Sequence, residues 1–117
     1  MSRIKEIVSN LTLDEKASLC SGSDFWHLQG VGRLAIPEVL VADGPHGLRK
    51  TLGETDQANL TESVKSTCFP TASALAATWN RDLIYQVGAA IGKESRAEKV
   101  GVVLGPGVNI KRSPLCG

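Results

Sequence analysis

The chain has 117 residues, 42% hydrophobic and 21% charged, the proportions of an ordinary folded protein rather than a disordered or fibrous one. Thirteen basic and 12 acidic side chains leave a formal net charge of +1, and 4% of residues are aromatic, so neither a phosphate-gathering field nor a base-stacking surface is expected and nucleic acid is excluded as a partner. The sequence contains no apolar run of about eighteen residues, which excludes a membrane-spanning helix.

Ile4, Ile7, Val8 and Leu11 fall at helical spacing and predict a short amphipathic helix. Thr12-Leu13-Asp14-Glu15 has the form of a capping box, so a second helix is predicted from Leu13 to about Cys20. Gly22, Gly30, Gly32 and Pro37 interrupt any period, and the stretch from Gly22 to Pro37 reads as loop. Val39-Leu40-Val41-Ala42 is apolar on both faces and stops at Asp43-Gly44-Pro45, the pattern of a parallel strand buried between helices. Residues 48–66 are polar and without period, an excursion over the surface. Thr71–Ala77 is alanine-rich and helical by propensity, and Asn80 is placed to cap a longer helix, about Arg81 to Lys99, with Leu83, Val87, Ala90 and Ala97 on one side. Val100–Leu104 is the second buried strand, closed by Gly105-Pro106-Gly107. Strands separated by helical stretches indicate a parallel α/β fold.

The first eight residues carry charges where a secretory signal needs an unbroken apolar run. Cys20, Cys68 and Cys116 are odd in number and lack a C-x-x-C pair, so they are expected to be free, buried thiols; together these features lead us to expect a cytoplasmic protein. Asn10-Leu11-Thr12 and Asn59-Leu60-Thr61 match the N-glycosylation pattern but receive no function without a secretion signal.

Gly88–Glu94 fails as a phosphate-binding loop: its glycines are too close together, and Glu94 stands where Ser or Thr would hold magnesium. Gly105-Pro106-Gly107-Val108-Asn109-Ile110 has Ile at the third small position of a dinucleotide fingerprint. His27 and His46 lie in different loops without an i, i+4 partner, and read as polar loop or cleft residues; no metal and no cofactor is expected. Glu94 and Glu98, beside Lys93 and Arg96, read as a solvated helix face.

Asp43 stands at the end of a buried strand, the edge where α/β sheets place their ligands. Two readings stand for it: a ligand-binding carboxylate, or an Asp that hydrogen-bonds its own turn. Arg49 and Arg112 are candidates to converge on the same rim. A carboxylate that accepts and guanidinium groups that donate would suit a neutral polyhydroxyl ligand.

Leu11–Lys16, Ser21-Gly22-Ser23-Asp24-Phe25-Trp26, Val41-Ala42-Asp43-Gly44-Pro45-His46-Gly47-Leu48-Arg49, Phe69-Pro70-Thr71-Ala72, Gly92-Lys93-Glu94 and Leu104–Gly117 follow one another in an order and spacing that resembles the start of family 3 glycoside hydrolases of the β-glucosidase type. The resemblance implies an α/β fold, the N-terminal part of a (β/α)₈ TIM-type barrel that is incomplete in this chain, with residues 1–117 holding about the first three strand-helix units. It implies hydrolysis of terminal, non-reducing β-D-glucosyl residues with retention of configuration, on a β-glucoside or oligosaccharide substrate. Retention requires two carboxyl groups about 5 Å apart. In the family the nucleophilic Asp and the acid/base Glu come later in the chain, so no catalytic residue is expected among these residues, which alone would be inactive. By position, Asp43 resembles the carboxylate that holds sugar hydroxyls, and Arg49 and Arg112 resemble arginines of the same subsite; the Lys-His pair that completes it also comes later. The chain stops inside a family motif, so a C-terminal remainder is expected. The competing reading is a non-catalytic sugar-binding or interaction module that needs a partner chain to complete the barrel, and a nucleotide-binding α/β domain stands third.

Overall fold

The computed structural model describes residues 2–52 and 63–108. The chain divides into two compact units, Met1–Val41 and Ala42–Gly117, and strand β2 (Val39–Asp43) runs through the division.

In the first unit, α1 (Arg3–Asn10) is capped by the Ser2 hydroxyl, which accepts from the amide of Lys5. Its Leu11 boundary residue is buried, whereas Ile4 and Val8 are exposed. The capping box predicted for α2 (Leu13–Ser18) is present in both halves: Thr12 Oγ accepts from Glu15 N at 3.2 Å, and Glu15 Oε2 accepts from Thr12 N at 2.8 Å. The helix ends at Ser18, shorter than expected, in backbone bonds from Cys20 and Ser21 back to Ala17 and Ser18.

The stretch read as loop contains a two-residue strand, β1 (His27–Leu28), antiparallel to β2 with His27 opposite Leu40 and Leu28 opposite Val39. Two residues cannot express a strand period, so only pairing reveals them. The Asp24 carboxylate holds the turn into β1 by accepting from the amides of Trp26 and His27 and from His27 Nδ1. A short 3₁₀ turn, Gly32–Leu34, carries Arg33, which bonds both carboxylate oxygens of Glu15 and the carbonyl of Asn10. Glu15 thus caps its own helix and anchors a residue 18 positions away. This pairing, with the Thr12 amide, lowers its pKa to about 2.

In the second unit, β2 ends in Ala42, 1% exposed, and Asp43. β3 (Val102–Leu104) neighbours β2. Between the two strands lie α3 (Ala72–Ala77), capped by Thr71, and α4 (Arg81–Ala97), capped as expected by Asn80, whose side chain accepts from Leu83 N at 3.0 Å. α4 stops two residues short of the expected end. Lys99 adopts φ 60°, its amide bonds Arg96 O, and the amide of Val100 bonds Ser95 O, a Schellman closure with lysine where glycine is usual. β3 accordingly begins at Val102, not Val100.

The excursion over 48–66 is tied down where it is described: Leu48 is buried, Thr51 bridges Ser63, and Val64 N bonds Lys50 O. The carboxylates expected on a solvated face are engaged. Glu98 accepts from Lys50 Nζ at 3.3 Å, and Glu94 accepts from Thr67. Lys50 and Thr67 lie 48 and 27 residues away, which hides both partnerships from a local pattern. Cys20 and Cys68 are free but exposed, contrary to the burial expected of unpaired thiols; both sit in irregular segments with little packed above them.

The mixed α/β architecture is as expected, but no closed barrel is seen among the described residues. Their buried apolar side chains are few: Leu11 and Val31 in the first unit; Ala42, Leu48 and Val100 in the second. On α4 only Ser95 is buried, and Leu83, Ile84 and Tyr85 remain exposed.

Candidate functional site

Strand β2 delivers Asp43 to the point where Gly44-Pro45 ends the strand. The next five residues fold back so that the Arg49 amide bonds the Asp43 carbonyl at 2.7 Å, and Asp43 and Arg49 form an antiparallel bridge. A residue pair separated by six positions is thereby placed side by side. Gly47, at φ 132°, is the tip that makes the return possible; a Cβ there would overlap the Thr67 carbonyl oxygen and lie 3.2 Å from its carbon.

A second segment closes on this loop. The Phe69 amide bonds the His46 carbonyl at 2.7 Å, and the Ser66 hydroxyl donates to the Leu48 carbonyl. The loop and segment enclose an open cleft of about 550 Å³ whose polar lining includes Asp43, His46, Arg49, Ser63, Ser66 and Thr67.

Within the cleft Arg49 Nη1 lies 3.9 Å from Asp43 Oδ2, and both side chains are close to half exposed. That separation is an ion pair beyond hydrogen-bond reach, so the carboxylate keeps its acceptor positions and the guanidinium its donors. The opposed charges favour a neutral ligand rich in hydroxyls over an anion or a cation. Asp43 is the only carboxylate among the described residues that line the cleft, whereas glycoside cleavage with retention takes two. The described residues of the cleft do not supply both reacting groups.

Of the three residues singled out from sequence, the structure brings Asp43 and Arg49 together, and Arg112 lies outside the described residues. The bond that closes the turn uses the main-chain carbonyl of Asp43, not its side chain, and the residue lines the cleft. His46 is a cleft residue, with a buried Nδ1 that has no partner among the described residues. His27 instead belongs to the Asp24 turn. Ser63, Ser66 and Thr67 were not anticipated as lining. Their only sequence signal is a polar stretch, and their position depends on contacts with residues 46–48, 51 and 94.

The model of the glycosyl hydrolase family 3 N-terminal domain matches residues 27–117. The chain is 56% identical over 114 residues to thermostable beta-glucosidase B of Acetivibrio thermocellus, covering 97% of this chain and 15% of that protein. It is 58% identical over 114 residues to an exo-alpha-(1->6)-L-arabinopyranosidase of Bifidobacterium longum, covering 94% of this chain and 15% of that protein. The crystal structure of a beta-glucosidase from Kluyveromyces marxianus in complex with glucose superposes with a TM-score of 0.82 at 42% identity, covering 95% of this chain and 12% of that one. The chain thus spans about 15% of the length of the curated relatives it matches.

Proposed function

We propose, for a chain that belongs to glycosyl hydrolase family 3, that Asp43, Arg49 and Arg112 form part of the sugar-holding rim of a β-glucosidase-type retaining hydrolase. Its substrates are glycosides with a terminal, non-reducing β-D-glucosyl residue. Asp43 accepts hydrogen bonds from ring hydroxyls, and the two arginines donate to hydroxyl oxygens and fix the ring in one orientation. The nucleophile and the acid/base lie outside residues 1–117, and the strands and helices described above are the first strand-helix units of a (β/α)₈ barrel. The observation that carries this reading is the Asp43–Arg49 pair, adjacent on one cleft yet too far apart to consume each other's hydrogen bonds. The superposition on a glucose-bound beta-glucosidase supports it.

A second reading, an α-L-arabinopyranosidase, is favoured by the relative at 58% identity. An α-L-arabinopyranosyl ring lacks the exocyclic hydroxymethyl group of glucose and carries its C4 hydroxyl axially rather than equatorially, so the two readings differ in how the cleft meets those two groups. The test is hydrolysis of the p-nitrophenyl β-D-glucopyranoside and of the p-nitrophenyl α-L-arabinopyranoside by the full-length protein that carries this sequence, as wild type and as Asp43→Asn. We expect the glucoside to be preferred and Asp43→Asn to lower kcat/KM by roughly a hundredfold, the scale of losing hydrogen bonds to a charged group. Unchanged kcat/KM in the variant would remove Asp43 from the sugar site, and preference for the arabinoside would replace the first reading with the second.

A further inference from the structure

We propose that Glu94, on α4, is a positioning residue for the cleft, acting through Thr67; the proposal rests on the cleft being the sugar site described above. Glu94 is part-buried and does not line the cleft. Its carboxylate accepts from the Thr67 hydroxyl at 2.5 Å through Oε1 and from the Thr67 amide at 3.2 Å through Oε2. Thr67 does line the cleft, and its carbonyl fills the space that a side chain at Gly47 would need. On either side of it, Ser66 donates to Leu48 O and Phe69 donates to His46 O. The segment 66–69 is therefore held at its ends by the loop that carries Asp43 and Arg49, and in its middle by Glu94.

Two donors of one residue point at Glu94, and Oε1 is within reach of both, at 2.5 Å from the hydroxyl and 3.4 Å from the amide. A glutamine still answers both, its oxygen accepting from the amide and its NH₂ donating to the hydroxyl oxygen, so the link is removed by a leucine, which has neither group. With that anchor lost, Thr67 is free to drift from Gly47, and the loop loses the surface that fixes the spacing of Asp43 and Arg49. A displacement near 1 Å at a binding group is enough to cost one to two orders of magnitude.

The experiment uses the full-length protein and compares wild type, Glu94→Leu, Thr67→Val and Thr67→Ser, with Asn80→Ala as a variant that weakens α4 at its far end. KM for the aryl glucoside and the inhibition constant for glucose are measured beside the melting temperature. Glu94→Leu and Thr67→Val are expected to raise both constants about tenfold, the lower end of what losing a charged hydrogen bond costs. Together they should do no more than either alone, because they break one link. Thr67→Ser, which keeps the hydroxyl, should stay within about twofold of wild type. Constants that do not move in Glu94→Leu, or that move equally in Asn80→Ala at the same loss of melting temperature, overturn the proposal and leave the sugar-site reading standing. Hydrogen–deuterium exchange of peptides covering 43–49 and 64–70 reads the same link without activity. If the wild type neither cleaves glycosides nor binds glucose, the sugar-site reading falls. In that case faster exchange of 43–49 in Glu94→Leu still supports the coupling, and unchanged exchange overturns it.

Discussion

Replacing Gly47 with alanine tests the cleft at its tightest point. The residue sits at φ 132°, a backbone conformation for which an L side chain pays roughly 1–3 kcal/mol. The added methyl also overlaps the Thr67 carbonyl oxygen by roughly 1 Å relative to an ordinary carbon–oxygen separation, and the obstacle is backbone, which cannot rotate aside. Relief requires that residues 66–69 lift from the loop, at the expense of the bonds Phe69 N to His46 O and Ser66 Oγ to Leu48 O. At about 1 kcal/mol for each, the total loss is about 3–5 kcal/mol. Urea unfolding of wild type and Gly47→Ala, followed by far-ultraviolet circular dichroism, measures it, and the same preparations report sugar binding. A variant within about 1 kcal/mol of wild type, with sugar binding intact, would refute both the packing of Thr67 on Gly47 and the argument that the return of Arg49 to Asp43 depends on it.

Two further outcomes follow from the helix ends. Glu15 titrates at about 2 in the folded chain against 4.5 ordinarily, so the unfolded chain binds the extra proton and the stabilisation by Arg33 is complete above pH 4.5 and fades as pH falls toward 2. The melting-temperature gap between wild type and Arg33→Met should therefore narrow across that window, leaving only the part that the bond to Asn10 O provides; a gap independent of pH contradicts the pairing. Lys99→Gly should raise stability by up to about 1 kcal/mol, because it removes left-handed strain at the end of α4 and gives back part of the gain in chain entropy. Destabilisation measured by chemical unfolding would show that Lys99 makes a compensating contact.

The elements that could be read from sequence are those whose causes are local. Thr12 and Glu15 lie three residues apart and cap each other, Asn80 caps the helix that it begins, and Val39–Ala42 needs only its own apolar run to be a strand. Asp43 and Arg49 were legible as a pair because a Gly-Pro turn at a strand end restricts where the next residues go. What escaped was decided at a distance. β1 exists by virtue of Val39 and Leu40, and Glu94 differs from a surface glutamate only because Thr67 comes to it. The end of α4 was misplaced because lysine carries no signal for the left-handed conformation that Lys99 adopts. No local pattern names Ser63, Ser66 or Thr67 as cleft residues.

β2 and β3 each run into a glycine followed by proline, and the two glycines are fitted to one another's strands. A methyl on Gly44 would come within 2.7 Å of Val103 Cγ1, and one on Gly105 within 2.9 Å of the Pro45 Cα. At Gly105 the obstacle is backbone, so an added side chain requires the opposite turn to move, whereas at Gly44 it is a methyl of the Val103 side chain. The hydroxyl side chains at 66 and 67 are held as well, by the Leu48 carbonyl and the Glu94 carboxylate.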